Sequence, residues 1–559
     1  MGRRRGAPQG AFTFDLVPED GSEAGQHPAG RRVAEEPEPG TAPEAEPPAL
    51  LAGARRRWAD RPRLLRWGVP VAAVVALAAV VVVEGVVDRW RGDDLRAAAG
   101  GVSDLSGPPF ESWRLDEDVG GIGLTGGLIA MEGDVAAVLH HDELVGVDLR
   151  TGQPVWTVEL TATDASCGPG LAIWGDTVDL RPAELVVCVA GTTDDAVDVT
   201  VVEDDGSVLV RRTVEGEHDL LVPGPRGTLV SATWTGDPDD VDVELRGDPL
   251  TNLTVLGDID DGYDLQLRAV DAVTDEERWA TTVPFGTVRD ATQCVSWDTG
   301  GRNAQVDRRA TLDHAVSQQL IGVAGCGILA YVTPDGKRLD LPDDDGDDEA
   351  GTVRRVRPLA DGGFVVSSGV WNLPVWDHAV LGPDGEHWYT VEGRLLEPLS
   401  TVGGGGGQQL VAHAARTVAL DQDGQELWTA DVNTQTFLAR TEEVAVVLDV
   451  QDRVLGLDRS DGTVRWVRDD VVTQFTALEG GGRSGELEAA FTDGAVVAVV
   501  VPTYTGERVV SRWRAVDVRT GEDLWSTELA ADGWGLELAA SGHLLRWSPR
   551  GLTGYTTGS

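Results

Sequence analysis

The amino-acid sequence predicts an all-β fold, a β-propeller of seven or eight blades with eight favoured, preceded by one transmembrane helix and a disordered N-terminal tail. Three observations predict it. A turn followed by a tryptophan recurs through the C-terminal part of the chain, one uncharged apolar segment follows an arginine cluster, and a Pro- and Glu-rich stretch occupies the beginning.

The recurring element is an apolar strand, a short Asp- and Gly-bearing turn, and a second strand that opens on Trp. Copies run from Asp148 through Gly152 to Trp156, from Asp458 through Gly462 to Trp466, and from Asp517 through Gly521 to Trp525. A fourth runs from Asp271 to Trp279 with Asp275 in place of Gly, and a fifth, one residue tighter, from Asp421 through Gly424 to Trp428. Weaker copies end at Trp388, at Leu339 and at Val210. Gly supplies a positive φ and Asp bonds its own downstream backbone, which makes each segment a tight hairpin turn. The flanking residues alternate or run β-branched, as half-buried strands do. About four strands per ~40 residues make a propeller blade, and a Trp after the turn fills the gap between neighbours. Phe110–Leu115, carrying Trp113, supplies the strand that the C-terminal blade lacks, so the ring closes without an exposed edge. Counting every copy gives nine, above the usual upper value of about eight, so at least one weak copy is expected not to form a blade.

Gly68–Val83 contains no charge, and with Glu84–Val87 it reaches about the ~20 residues that cross a bilayer. Trp67 and Trp90 bracket it. It has no polar face, which argues against a buried core helix, and the long basic region before it argues against a cleaved signal peptide. Arg55, Arg56, Arg57, Arg61, Arg63 and Arg66 precede the segment and place that side in the cytoplasm. The expected organisation is a disordered cytoplasmic tail over 1–66, a transmembrane helix over 67–87, a juxtamembrane linker over 88–108 and a propeller over 109–557. This is a single-pass protein of a bacterial plasma membrane with its large domain outside. In the tail, EEPEPGTAPEAEPP cannot bury enough apolar surface to fold. Ala11–Val17 is an apolar patch, read first as an unremarkable part of the tail and second as a segment that docks a cytoplasmic partner whose identity the sequence does not give.

The net charge is −47, and residues 1–67 hold 11 Arg against 10 acids, so the acidity belongs to residues 68–559. Such a surface repels phosphate backbones, which excludes nucleic acid as the expected partner. Cys167, Cys188, Cys294 and Cys326 all lie C-terminal to the apolar segment, as disulfides in an oxidising compartment would. The local pairing is 167 with 188 and 294 with 326, one of three connectivities. The acidic run Asp343–Glu349 fails as an EF-hand loop, because Leu341 and Thr352 would stand at its two acidic ends. Gly403–Gly407 lacks the Lys of a phosphate loop. The nine His are scattered.

The motif at Asp148–Trp156, Asp458–Trp466 and Asp517–Trp525 resembles the tryptophan-docking repeat of the PQQ-like propeller superfamily, over roughly residues 109–557. That superfamily includes quinoprotein alcohol dehydrogenases and the propeller lipoprotein of the bacterial outer-membrane β-barrel assembly machinery. The dehydrogenase resemblance implies PQQ with Ca²⁺, held under adjacent cysteines beside a catalytic Asp. This chain has no adjacent Cys pair, and no catalytic Asp carries over. The expectation is therefore no cofactor, no catalytic residue and no metal ligand. The expected role is a non-catalytic scaffold binding an extracytoplasmic protein or envelope ligand. The alternative is an envelope-assembly or secretion factor, and a quinoprotein dehydrogenase ranks third.

Overall fold

The computed structural model describes residues 98–558 except 99, 117–126, 162–163, 175–176, 194–195, 217, 239–243, 247–253, 257, 289–293, 298–303, 310–311, 342–351, 360–361, 371–375, 403–406, 473–488, 506–507, 532–534 and 549–550. The expected tail, the expected span and most of the expected linker lie outside the described residues, as do Asp343–Glu349 and most of Gly403–Gly407. Among the described residues no helix is long and apolar enough to cross a membrane.

The described residues form strands throughout, apart from one short helical turn at Pro225–Gly227. The sequence pattern sets which strands lie deep. Val444–Asp449 is buried at every residue, because it packs between sheets on both faces. Val208–Glu215, at an outer edge, alternates half-buried with exposed residues.

Nine sheets of three to five strands succeed one another among the described residues. We number them by chain order. The first spans 128–159, the second 166–215, the third 220–283 and the fourth 313–332. The fifth spans 352–391, the sixth 394–430, the seventh 434–468, the eighth 489–531 and the ninth 536–557. The fourth has three strands, and the short strand Pro398–Thr401 adds in parallel to the seventh. The ninth is completed by Pro109–Asp116, antiparallel to Gly551–Thr557.

Apolar clusters join each sheet to the next. Val202 and Ala137 share one between the first and second sheets. Others lie between second and third, third and fourth, fourth and fifth, fifth and sixth, sixth and seventh, seventh and eighth, and eighth and ninth. Trp113, Leu545 and Val138 join the ninth back to the first. The sheets therefore close into a ring, with each fully buried Leu or Val contributing about 1.5–3 kcal/mol.

The expected seven or eight blades compare with nine such sheets. No weak copy drops out. The copies ending at Val210 and Leu339 each build a sheet, because a smaller apolar residue takes the place of Trp at the contact with the next sheet.

Candidate binding face

Each docking side chain sits on an outer strand, four residues after its turn glycine in most copies, and reaches the turn of the next sheet. Trp156 lies between Gly146 of its own sheet and Gly206 of the second, and its Nε1 donates to the Asp204 carbonyl at 2.8 Å. Trp466 lies between Gly456 and Gly521 and donates to Val518 O at 2.8 Å. Trp113 lies between Gly554 and Gly152 and donates to Leu149 O at 2.9 Å. Trp279 covers Gly336 and donates to Pro334 O, and Trp428 covers Gly462 and donates to Arg459 O. An indole needs both a flat apolar bed and an acceptor for its N–H, and glycine with a turn carbonyl provides both.

Trp388 does not occupy this slot. It is 44% exposed and stands in the bulge of its strand. Tyr389 takes the slot instead and packs on Gly424 of the sixth sheet. The cause is register. Tyr389 pairs with Val380 as Trp156 pairs with Gly146, and it stands after Gly385 by the same four residues that separate Gly152 from Trp156. Counting from the turn glycine would have found it.

Trp525 docks on a turn that lies outside the repeat copies read from the sequence. Its Nε1 donates to Leu105 O at 2.8 Å. Asp104 accepts from Ser106 N, so Asp104–Gly107 is one more Asp-and-Gly turn, ahead of Trp113.

The turn aspartates act alike. Asp148 Oδ1 accepts from Arg150 N and Thr151 N, Asp517 Oδ1 from Arg519 N and Thr520 N, and Asp421 Oδ1 from Asp423 N and Gln425 N. Asp271 does the same for Val273 and Thr274, while Asp275 takes the positive φ that glycine has elsewhere. Bonds from Ser460, Arg465 and the Ser460 N–H pull Asp458 down to about 2. Each of these aspartates holds its turn through Oδ1, and Asp271 and Asp458 also pair with Arg278 and Arg465 through Oδ2.

In a four-stranded meander the first and third hairpins share one face of the ring. A loop of the second sheet crosses the ring at this face. Leu171 N and Ala183 N each bond the innermost strand of the first sheet at 2.8 Å. Between them Ala172 packs with Leu320, Val356 and Phe364 of the fourth and fifth sheets. Arg181 donates to Leu359 O, on the far side. The chain itself thus spans the middle of the ring. Asp179 of this loop is buried, and burial raises its carboxyl despite Ser317 and Arg181. At the same face Gly101 and Val102 bridge to Thr492 and Gly542.

The opposite face carries the insertions. Val295–Trp297 pairs with Ala304–Val306, and Ile259, Val288 and the Cys294–Cys326 disulfide form a small cluster beside the fourth sheet. Cys167 and Cys188, also bonded, are direct partners on two strands of the second sheet. Next to the insertion lies a cleft of about 260 Å³ between the fourth and fifth sheets. Ala315, Val323, Leu329 and Val356 give it apolar walls, and Asp313, His314, Tyr331 and Arg355 line it as well. Leu329 is 41% exposed. Burial lowers the His314 imidazole against the pull of Asp313, and it raises the Tyr331 hydroxyl. An open cleft that joins apolar walls to several polar groups suits binding. Among the described residues no cluster of His, Cys, Asp and Glu could hold a metal.

Residues 374–546 match the family model described as outer membrane protein assembly factor BamB, of the PQQ-like type. Over those residues the repeats are similar to the PQQ-like type. BamB of Moraxella catarrhalis is similar at 12% identity, covering 81% of this chain and 99% of that one, with a TM-score of 0.24. A quinohemoprotein alcohol dehydrogenase of Pseudomonas putida HK5 is similar at 11% identity, covering 84% and 81%, with a TM-score of 0.35. Saccharomyces cerevisiae Sqt1 is similar at 8% identity, covering 81% and 100%, with a TM-score of 0.31. Overlaps this loose assign no function. No curated protein matches the chain.

Proposed function

We propose that this protein is a membrane-tethered, extracytoplasmic, non-catalytic scaffold that binds a protein or envelope ligand. The observation that carries the reading is the division of the ring's faces. One is spanned by the chain's own loop, while the other carries the disulfide-pinned insertion, and a cleft opens between the fourth and fifth sheets. A partner inserts an apolar side chain between the fourth and fifth sheets, and the strongly acidic surround favours a partner that is basic or is met through water and cations.

The test places a photo-crosslinker at Leu329 in intact cells, with the exposed Leu427 as control. A single partner captured from Leu329 and not from Leu427 supports the reading. Equal capture from both positions sinks it. The family match over 374–546 favours a second reading, an envelope-assembly factor. Recovery of envelope-assembly or secretion components from Leu329 would select it. Adding PQQ and Ca²⁺ to the purified chain should give neither bound-cofactor absorbance nor dye-linked alcohol oxidation. Turnover would overturn the non-catalytic assignment.

A further inference from the structure

Among the described residues, every sheet but the fourth carries an outer strand paired antiparallel to its third or to the equivalent inner neighbour. In the fourth, Arg338 bridges Val332 and Leu339 N donates to Tyr331 O at 2.9 Å, and the described pairing ends there. Asp340 follows, and Pro342 two residues on, types depleted from strands. The strand Ile328–Val332 therefore keeps an outer edge that its counterparts have covered.

Register says which groups that edge presents. Residues of an antiparallel strand direct their N–H and C=O alternately to one neighbour and to the other. Tyr331 O points outward to Leu339 N, so Leu329, two residues back, points its N–H and C=O outward as well. Among the described residues no strand pairs with Leu329 on that side. The side chain tells the same story. Leu144, Leu267, Thr417, Val454 and Trp513 stand four residues before the turns that begin at Asp148, Asp271, Asp421, Asp458 and Asp517, as Leu329 stands before Thr333. Those five are at most 1% exposed, beside outer strands, whereas Leu329 is 41% exposed. Leu144 has Val158 as its outer partner, itself buried. Leu329 has none, and it forms one wall of the cleft.

We propose that the cleft is filled by strand addition: an extended, basic segment of a partner protein pairs antiparallel with Leu329 as the fourth strand of the fourth sheet and lays an apolar side chain over Leu329 and Val356. The inference rests on the scaffold reading for the existence of a partner, and it assigns that partner a conformation. Main-chain hydrogen bonds hold a peptide to a strand edge, and its alternate side chains enter the pocket beside it. The chain's own outer strands show what the position accepts. Val464–Arg468, of sequence VRWVR, has two arginines and no acid, and its Arg468 is the partner of Val454. A basic segment also complements a chain whose net charge is −47.

The test is fluorescence anisotropy of the full-length chain with a labelled peptide GTVRWVR, the sequence of residues 462–468. Saturable binding is expected. N-methylation at every second peptide residue should weaken it about tenfold or more in one phase and spare it in the other, because only alternate N–H groups face Leu329. Leu329→Pro removes the outward N–H and leaves the inner ladder intact, so it should keep the peptide-free Tm near wild type and weaken binding about tenfold or more. The phase dependence stays decisive if Leu329→Pro fails to fold. No saturable binding, or equal loss in both phases, overturns the proposal. So does a dimer of the peptide-free chain that Leu329→Pro abolishes, which would give the edge to a second copy. A single partner captured from Leu329 in cells, without phase dependence of the peptide, overturns strand addition and leaves the scaffold reading standing. Phase-dependent peptide binding with no partner captured supports the open edge and sinks that reading.

Discussion

At the scale of single residues, what a side chain does depends on its register as well as its type. Trp388 and Tyr389 are adjacent, and the larger indole invites the docking role. The phenol fills it, because a bulge turns Trp388 outward. Tyr389 is half-buried, so Tyr389→Ala should destabilise by about 2–3 kcal/mol, below the roughly 3–5 kcal/mol of a fully buried aromatic. Trp388→Ala should change stability by less than about 1 kcal/mol. Urea unfolding midpoints decide it, and the reverse order would remove Tyr389 from the slot. His378 makes a second prediction. Burial, then Arg357 and Arg394, lower its pKa from 6.5 to about 4. Between those values the unfolded chain binds more protons than the folded one, so the imidazole's contribution is lost as pH falls from about 6.5 to 4. The full loss is about 3 kcal/mol. Stability measured from pH 4 to 7 should fall more steeply in wild type than in His378→Gln, and parallel profiles would refute the assignment.

At the scale of elements, the legible parts were those fixed by local chemistry. A turn needs Asp to accept from the next two or three N–H groups and a residue with positive φ, and those demands are written at fixed spacing. Asp148, Asp421, Asp458 and Asp517 stand where that spacing put them. The cleft and the crossing loop were not legible. Ala172 and Phe364 are nearly two hundred residues apart in sequence, and nothing local to either encodes their contact. The two disulfides differ in the same way. Cys167 and Cys188 join paired strands within the ring, so the double Cys→Ser variant should lose about 3 kcal/mol, the loop-entropy value for a closure of this length. Cys294–Cys326 pins a peripheral insertion that can open locally. Its double Cys→Ser variant should be cut by protease within residues 283–313 while the Tm of the ring changes little. Equal drops in Tm for both variants would show that the insertion and the ring unfold together.

At the scale of the whole molecule, a ring of sheets is only as cooperative as its closure. Apart from the short strand Pro398–Thr401, every other sheet is contiguous in sequence, whereas the ninth takes its outer strand from ahead of the first. That segment acts three times over. Pro109–Asp116 covers the edge of Gly551–Thr557, Trp113 seats between Gly554 and Gly152, and Leu105 accepts the Trp525 N–H. A buried ion pair lies at the contact of the eighth and ninth sheets, where Arg546 meets Glu537 and Ser511 bonds both. Removing one partner of such a pair costs about 3–5 kcal/mol, because the other charge remains buried. Glu537→Ala should therefore weaken the contact of the ninth sheet with the eighth without touching the docking tryptophans. Chains beginning at residue 98 and at residue 117 provide the sharper comparison. The first keeps all three contacts of the closing segment, and the second loses all three and exposes a strand edge. The shorter chain should melt at least 10 °C lower, unfold with a smaller urea dependence as the ends of the ring fray separately, and associate in solution through the open edge. If both chains melt together as monomers, the ninth sheet is an appendage, and the ring is held by its other eight contacts.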